Sequence, residues 1–191
     1  MKIALFAAVE EEVSKIKDRV HLTGIGRENA TAAALEFMKT HQEEDFVIVN
    51  IGTAGAHTKP VGDILRITRI VSGGDAFLEQ PMLMHDLGVE TATDDAVLFS
   101  SDCFVSPRVY SREFLDELSR KADCFDMESS AVYSVAKSFG KPFVSYKIVS
   151  DHLDVDLHEW QRRVHQLSDT LCDFFMDVVE VLDKKDTVEF I

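Results

Sequence analysis

Three acidic residues of this sequence are placed where they could carry out acid–base chemistry. Glu12, Glu128 and Asp151 each follow a short apolar stretch of the kind that forms a buried strand. A carboxylate can take a proton from water or accept hydrogen bonds from hydroxyl groups, and a carboxyl group whose pKa is raised can donate a proton. The three residues together could therefore support general acid–base catalysis.

Each of these acids also has a structural alternative. Glu10, Glu11 and Glu12 can be the acids of a first helical turn, which the helix dipole favours, although one of the three must turn inward as the helix winds. In Asp126-Met127-Glu128 the carboxylate could accept sugar hydroxyls while the thioether packs on the sugar, or Asp126 could cap the next helix. Asp151 can be a turn residue. Taken one by one, these residues are compatible with both a catalytic and a structural interpretation.

Two glycine turns could bring the backbone close to a ligand. Gly24-Ile25-Gly26 leads into a helix but lacks the third glycine of a dinucleotide fingerprint, which favours a simple turn over a phosphate site. Gly52-Thr53-Ala54-Gly55 allows close approach of a ligand or tight packing. The sequence has no zinc-binding spacing and no Gly-x-Ser-x-Gly turn, so we expect neither a metal site nor a serine nucleophile.

The elements that must position these residues alternate between apolar strands and amphipathic helices. We predict strands over 3–8, 20–23, 46–51, 63–72, 96–100, 123–126 and 143–150, and helices over 11–18, 28–39, 112–121, 128–139 and 157–183. The last helix carries an apolar stripe that includes Trp160. This alternation predicts one α/β domain over residues 1–191, a three-layer arrangement with a central mixed, mostly parallel sheet flanked by helices.

In such sheets a ligand binds at the carboxyl ends of the strands. Five polar residues of the sequence come directly after predicted strands: Glu12, Thr53, Asp102, Glu128 and Asp151. We therefore expect these side chains to face one site.

Composition and charge exclude several classes of protein. The 191 residues are 46% hydrophobic and include 13 Phe, which indicates a globular protein rather than a disordered one. A net charge of −14 disfavours binding to nucleic acid or to an anionic membrane surface. Three widely spaced cysteines and a short apolar start followed at once by acids, unlike an export signal, lead us to expect a cytoplasmic protein.

Seven segments, taken in order, resemble the purine nucleoside phosphorylase/nucleosidase superfamily, and within it the bacterial 5′-methylthioadenosine/S-adenosylhomocysteine nucleosidases. They are Lys2–Val13, Gly24–Gly26, Val47–Gly55, Val61–Ile64, Ser101–Val105, Asp126–Ser129 and Val149–Asp151. The resemblance spans nearly the whole chain. It implies a nucleoside phosphorylase-like fold, hydrolysis of the N-glycosidic bond of a purine nucleoside, a place in methionine salvage, and a homodimer.

The resemblance also implies roles for individual residues. Asp151 matches the general acid that protonates the departing base, and Glu12 matches the carboxylate that activates the attacking water. Glu128 and Met127 match the ribose-binding residues, and Thr53 takes the position of a serine near the water.

The base side and the 5′ side of the expected site involve four more residues. Phe104 matches the ring that stacks on the base, and Val105 matches a residue whose backbone bonds to the edge of the base. Phe77 is expected to line the 5′ pocket, in this subunit or in a neighbouring one. Lys147 stands where the nucleosidases have an arginine that braces the catalytic acids, and a lysine does not reproduce the bidentate geometry of arginine. No metal or other cofactor is implied.

The chemistry of glycosidic cleavage agrees with these residue types. The reaction passes through an oxocarbenium-like state, so it needs an acid at the base and negative charge near the sugar. Asp151 must then hold a proton near neutral pH, and we predict that burial or neighbouring carboxylates raise its pKa.

Three alternatives remain open at this stage. A phosphorylase of the same superfamily would hold phosphate with arginines, but here the first segment is acidic, Asn50 precedes the glycine turn, and Arg27 is the one candidate cation. Futalosine hydrolase is an alternative because the segments before Gly24 and after Asp151, which border the 5′ pocket, are short. A non-catalytic nucleoside-binding protein is the third alternative.

Overall fold

Strands and helices alternate along residues 1–72, 84–91 and 93–191, the part of the chain that the computed structural model describes. The strands are β1 (Lys2–Ala7), β2 (Val20–Leu22), β3 (Val47–Ala56), β4 (Ile64–Ser72), β5 (Asp94–Ser100), β6 (Cys124–Asp126), β7 (Phe143–Asp151) and β8 (Glu189–Phe190). The helices are α1 (Arg27–His41), α2 (Arg112–Ser119), α3 (Ser129–Ser138) and α4 (Leu157–Asp183). The predicted α/β class is confirmed.

The sheet is mixed and mostly parallel, as predicted. β1 pairs in parallel with β2, β3 and β8. Next to it, β3 pairs in parallel with β7, β7 pairs antiparallel with β4, and β4 and β5 pair in parallel, as do β5 and β6. β6 then returns to the far end of β3, where Gly55 lies opposite Phe125 in an antiparallel pair. The strands β3, β7, β4, β5 and β6 therefore form a closed ring.

This ring differs from the open three-layer arrangement expected from the sequence. The expectation ended the third strand at Ile51, but β3 continues through Gly52–Gly55 to Ala56. Its pairing with β7 shifts register between Ala54 and Gly55. A register shift at small residues lets a strand bend, and the bent end of β3 reaches β6 and closes the sheet.

Helices cover the sheet from two sides. Small residues of α1 and α3 bring these helices close to one another, and they share one buried cluster with Phe6 and Ile48 of the sheet. α4 covers the other side, where its apolar stripe packs on β1, β3 and β7 in a second cluster around Leu171 and Phe175. A third cluster joins α2 to β5, β6 and Leu153. The burial of these apolar faces fixes the strand ends that carry the polar residues.

Two local predictions need correction. The helix predicted over 11–18 is replaced by two 3₁₀ turns, Glu10–Glu12 and Lys17–Arg19. Their backbone bonds span three residues, as between the Glu12 amide and the Val9 carbonyl at 3.2 Å, and such turns stay short. The strand β8 was not predicted, because two residues are too few to show a period. None of the helices in the described ranges is both long and apolar enough to cross a membrane.

Candidate active site

A cleft of about 550 Å³, including its open mouth, lies where β1, β6 and β7 end and where β3 passes between them. Its walls combine the carboxylates of Glu12, Asp126, Glu128 and Asp151 with apolar side chains. Small-molecule sites have this mixture of apolar walls and a few polar groups. Three of the acids singled out in the sequence therefore do meet in one place.

Glu12 is held by hydrogen-bond donors at both oxygens. Its Oε1 accepts bonds from the amide and the hydroxyl of Thr53, both at 2.7 Å. Its Oε2 accepts bonds from the amides of Ala8 at 3.1 Å and Val9 at 3.4 Å, as the chain leaves β1. A Cβ atom at Gly52 would lie 3.1 Å from Oε1. The glycine therefore lets β3 approach the carboxylate closely, and Thr53 lies within β3 rather than after it.

Glu128 lies between β6 and α3 and is bonded to the glycine turn before α1. Its Oε1 accepts a 2.6 Å bond from the amide of Gly26, and its Oε2 a 3.3 Å bond from the amide of Met127. Burial, followed by the charge of Asp126, raises the pKa of Glu128 to about 7. The Gly24–Gly26 turn thus binds a carboxylate of the protein itself, in agreement with the expected turn rather than a phosphate site.

Asp126 and Lys147 form a buried ion pair beneath the cleft. Lys147 Nζ lies 2.9 Å from Asp126 Oδ2, and Ser129 also donates to this oxygen from its hydroxyl and its amide. Burial lowers the pKa of Lys147, but the charges of Asp126 and the other nearby carboxylates outweigh it and raise this pKa overall. Lys147 is 2% exposed and does not line the cleft. It therefore contacts Asp126 and not the space where a ligand would bind.

Asp151 ends β7 and is buried against β3. Its Oδ2 accepts a 2.7 Å bond from the Ser150 hydroxyl, and its Oδ1 a 2.8 Å bond from the Leu153 amide. Leu153 has a φ of +64°, a value uncommon for a residue other than glycine, which turns its amide back to Asp151. Burial raises the pKa of Asp151, although these two hydrogen bonds act in the opposite direction. The shift has the sign that a proton donor requires.

The remaining predicted residues are mostly found at the same cleft. Phe104, Val105 and Met127 line it, and Val105 packs in the cluster that contains Leu153. Phe77 lies outside the described residues. Part of the cleft wall is therefore apolar, as a planar base would require.

The candidate phosphate ligands do not reach the cleft. Arg27 Nε lies 2.9 Å from Asp102 Oδ1, and its guanidinium also donates to the carbonyl of Ser100. Asn50 is 1% exposed and its side-chain amide donates to the carbonyl of Phe6. Among the described residues that line the cleft there is no lysine or arginine.

Trp160 was not predicted as a site residue. It comes one turn into α4, lines the cleft, and donates from Nε1 to the Thr53 hydroxyl oxygen at 3.1 Å. In the sequence its spacing matched the apolar stripe of α4. One signal could have found it: an indole carries a polar N–H that usually needs a partner when buried, and this one follows Asp151 closely.

Within the described ranges no group of three or more His, Cys, Asp or Glu residues could hold a metal ion. The acids of the cleft are instead bonded to amides, hydroxyls and one ammonium group. This arrangement can carry out acid–base chemistry at two carboxyl groups, those of Asp151 and Glu12. A third carboxylate, that of Glu128, lines the same cleft.

Comparison with known proteins assigns this fold and cleft to a family. Residues 79–180 match the family model described as the phosphorylase superfamily. The chain belongs to this superfamily. No curated protein sequence matches it significantly. The superfamily suspected from the ordered segments is therefore confirmed.

Solved structures of nucleosidases share the fold of this phosphorylase-superfamily chain. A futalosine hydrolase mutant of Helicobacter pylori matches with a TM-score of 0.78 and 18% identity, over 95% of this chain and 99% of that one. A 5′-methylthioadenosine/S-adenosylhomocysteine nucleosidase of Neisseria meningitidis, in complex with methylthio-immucillin-A, matches with 0.77 and 18%, over 94% and 99%. An S-adenosylhomocysteine nucleosidase of Streptococcus pyogenes, in complex with 5-methylthiotubericidin, matches with 0.79 and 19%, over 95% and 97%.

Proposed function

We propose that this protein hydrolyses the N-glycosidic bond of a purine nucleoside of the 5′-methylthioadenosine/S-adenosylhomocysteine kind. One observation carries the proposal: a single cleft brings together a buried carboxyl group with a raised pKa, Asp151, and a carboxylate surrounded by donors, Glu12. General acid–base catalysis of this bond needs one group of each kind. The likeness to nucleosidase structures supports the same reaction class.

Asp151 is the general acid. Its buried carboxyl group holds a proton to higher pH than an ordinary aspartic acid, because burial disfavours the charged form. It gives this proton to N7 of the purine as the base departs. Phe104 stacks on the base, and the backbone of Val105 bonds to its edge.

Glu12 orients the attacking water and removes a proton from it. All four groups that bond to this carboxylate are donors, so both of its oxygens act as acceptors. Thr53 lines the cleft and is bonded to Glu12 through its hydroxyl group.

Glu128 and Met127 bind the sugar. The carboxylate accepts the ribose hydroxyls while the thioether packs on the apolar face of the ring. In its ionised form, above a pKa of about 7, Glu128 stabilises the positive charge that develops on the sugar in the transition state.

Water is the nucleophile in this proposal, because no cation among the described lining residues is available to hold phosphate. The net charge of −14 adds to the repulsion of an anion. A phosphorylase is therefore the less favoured reaction.

The 5′ substituent is the one part of the substrate that the proposed reaction does not specify. Only residues 152–156 separate β7 from α4, so Leu157 and Trp160 of α4 stand at the cleft. Futalosine, whose hydrolase shares this fold, is the alternative substrate.

The test measures free base released from methylthioadenosine, S-adenosylhomocysteine, futalosine, adenosine and inosine in phosphate-free buffer. We expect release from at least one, and a kcat about 10²–10⁴-fold lower for Asp151→Asn. Asp116→Asn is the matched control, because Asp116 is an exposed acid of α2 that does not line the cleft.

Release that occurs only after phosphate is added would replace hydrolysis by phosphorolysis. If the wild-type protein binds these nucleosides but releases base from none of them under either condition, it is a nucleoside-binding protein and the proposal is wrong.

A further inference from the structure

The one tryptophan of the chain is linked to the proposed water-activating residue by a hydrogen-bonded chain. Trp160 Nε1 lies 3.1 Å from Thr53 Oγ1, and Thr53 Oγ1 lies 2.7 Å from Glu12 Oε1. The three residues are far apart in sequence and belong to α4, β3 and the turn after β1. The chain of bonds therefore exists only in the folded protein.

The chemistry of the three groups decides the direction of these bonds. An indole N–H can only donate, so the Thr53 oxygen accepts from Trp160. A hydroxyl has a single hydrogen, and that of Thr53 then points to Glu12 Oε1. The Thr53 amide donates to the same oxygen at 2.7 Å. Oε1 thus accepts two short bonds, from the Thr53 amide and from the Thr53 hydroxyl, and the Trp160 indole holds the oxygen of that hydroxyl in place.

The other oxygen of Glu12 is held less tightly. Oε2 accepts from the amides of Ala8 and Val9 at 3.1 and 3.4 Å, both longer than the bonds to Oε1. Longer bonds to amides are weaker and leave more electron density available to a new donor. Donors therefore hold the two oxygens of this carboxylate at different distances, and Oε2 is the less tightly bound of the two.

We propose that Trp160 is a positioning residue that assigns the proton transfer to Oε2 of Glu12. This proposal rests on the hydrolysis proposed above. The water oxygen forms a bond to the anomeric carbon as one water proton moves to Oε2. The electron pair of the broken C–N bond leaves with the base, which takes its proton from Asp151.

The first turn of α4, which carries Trp160, is itself held in place. Asp156 caps α4 by accepting a 3.0 Å bond from the Glu159 amide, and it lies 3.3 Å from Arg108 of the segment after β5. A capped first turn, tied to a second segment, keeps the indole directed at β3. The backbone of Trp160 is therefore held by the capped helix, and its indole is held by the bond to Thr53.

The first test measures the bond itself and does not depend on activity. Because the chain has one tryptophan, a ¹H–¹⁵N spectrum shows one indole signal. Thr53→Val removes the acceptor and is expected to move this proton signal upfield. Thr53→Ser keeps the hydroxyl and is expected to leave it near the wild-type position. If the indole signal does not move in Thr53→Val while the rest of the spectrum shows that the variant is folded, the proposal is wrong.

The second test measures what the bond does. Trp160→Phe keeps an aromatic ring but loses the N–H, and we expect kcat to fall roughly five- to tenfold with KM changed less than twofold. In a Thr53→Val background the same change is expected to cause no further loss, because the bond is already absent. Gln166→Ala, an exposed change on the same helix, is the control and should leave kcat unchanged.

Multiplicative losses in the double variant, or full kcat in Trp160→Phe, contradict the positioning role. If the wild-type protein releases base from no nucleoside, hydrolysis itself is wrong, whereas the indole signal still reports whether the Trp160–Thr53 bond forms. The failure of one proposal is thus distinguishable from that of the other.

Discussion

At the scale of single residues, three carboxyl groups share a cleft but have three different surroundings. Asp151 is buried and accepts two hydrogen bonds, Glu128 lies near a second acid, and Glu12 accepts four hydrogen bonds. Different surroundings separate the protonation behaviour of chemically similar groups. The division of labour proposed for the cleft depends on this separation.

The raised pKa of Asp151 predicts the alkaline limb of the pH–rate profile. The proton donor must be protonated in the free enzyme, so kcat/KM should fall as pH rises through that raised pKa. The measurement is kcat/KM for base release between pH 5 and 9. Asp151→Asn should lack this limb in its residual activity, and an unchanged limb in that variant would assign it to another group.

The raised pKa of Glu128 predicts how stability depends on pH. The folded state holds a proton that the unfolded state releases, so the stabilising contribution is complete below the ordinary pKa of 4.5 and is lost as pH rises to about 7. Glu128→Gln should remove this loss, which is on the order of 3 kcal/mol. Urea unfolding at pH 4.5, 6 and 8 measures it.

Met127→Leu is the comparison for that experiment, because it changes the adjacent side chain without a titrating group. Its effect on the free energy of unfolding should be the same at the three pH values. If Glu128→Gln also shifts stability equally at all three, the pKa of Glu128 is not raised in the folded protein.

At the scale of elements, Gly55 of β3 lies directly against the proposed acid at the end of β7. A Cβ atom at Gly55 would lie 2.7 Å from Leu153 Cδ2 and 3.1 Å from Asp151 Oδ1. The methyl group of Leu153 would have to move, and the carboxyl group of Asp151 would have to shift by a few tenths of an ångström. The geometry of the acid therefore depends on a position in a neighbouring strand.

Gly55→Ala should accordingly cost about 1–3 kcal/mol of stability and also lower kcat. Thermal unfolding and base release measure the two effects. Gly62→Ala is the matched control: it has a φ of +95° but no atom within 4 Å of the added Cβ. It should lose about 1 kcal/mol to backbone strain and keep its kcat. Equal kcat losses in both variants would contradict a local effect on Asp151.

The ion pair of Asp126 and Lys147 joins the end of β6 to β7. Removing one partner leaves a buried charge, so Lys147→Met should cost about 3–5 kcal/mol. The double variant Lys147→Met with Asp126→Asn should recover part of this loss, because neither charge remains. Chemical denaturation of both variants measures it, and a double variant that is less stable than Lys147→Met would contradict the account.

At the scale of the whole molecule, the closed ring and the helices around it bring four strand regions to one cleft. The fold is shared with nucleosidases at 18–19% identity, so it is kept by the pattern of buried positions more than by particular residues. A homodimer remains a prediction from the resemblance, and a cytoplasmic location remains a prediction from the cysteines and the start of the sequence. Sedimentation should give twice the 21.5 kDa of one chain, and a monomer that releases base at the full rate would contradict it.

Much of the fold, and three of the acids that line the cleft, could be predicted from the sequence. The last helix was predicted over 157–183 and is found as Leu157–Asp183, because its apolar stripe runs for many turns and Asp156 caps it. Glu12, Glu128 and Asp151 were found by their position after apolar strands. Signals of this kind are local, since a period or a strand end is visible within about ten residues.

The tertiary structure decided what the local signals could not reach. The closure of the sheet depends on the pairing of Gly55 with Phe125, and the bond from Trp160 to Thr53 spans 107 residues. Lys147 was expected at the cleft and is found beneath it, bonded to Asp126. Contacts between distant residues leave no period in the sequence, so the sequence determined which residues could do the chemistry, and only the packed strands decided which of them meet and through which atoms.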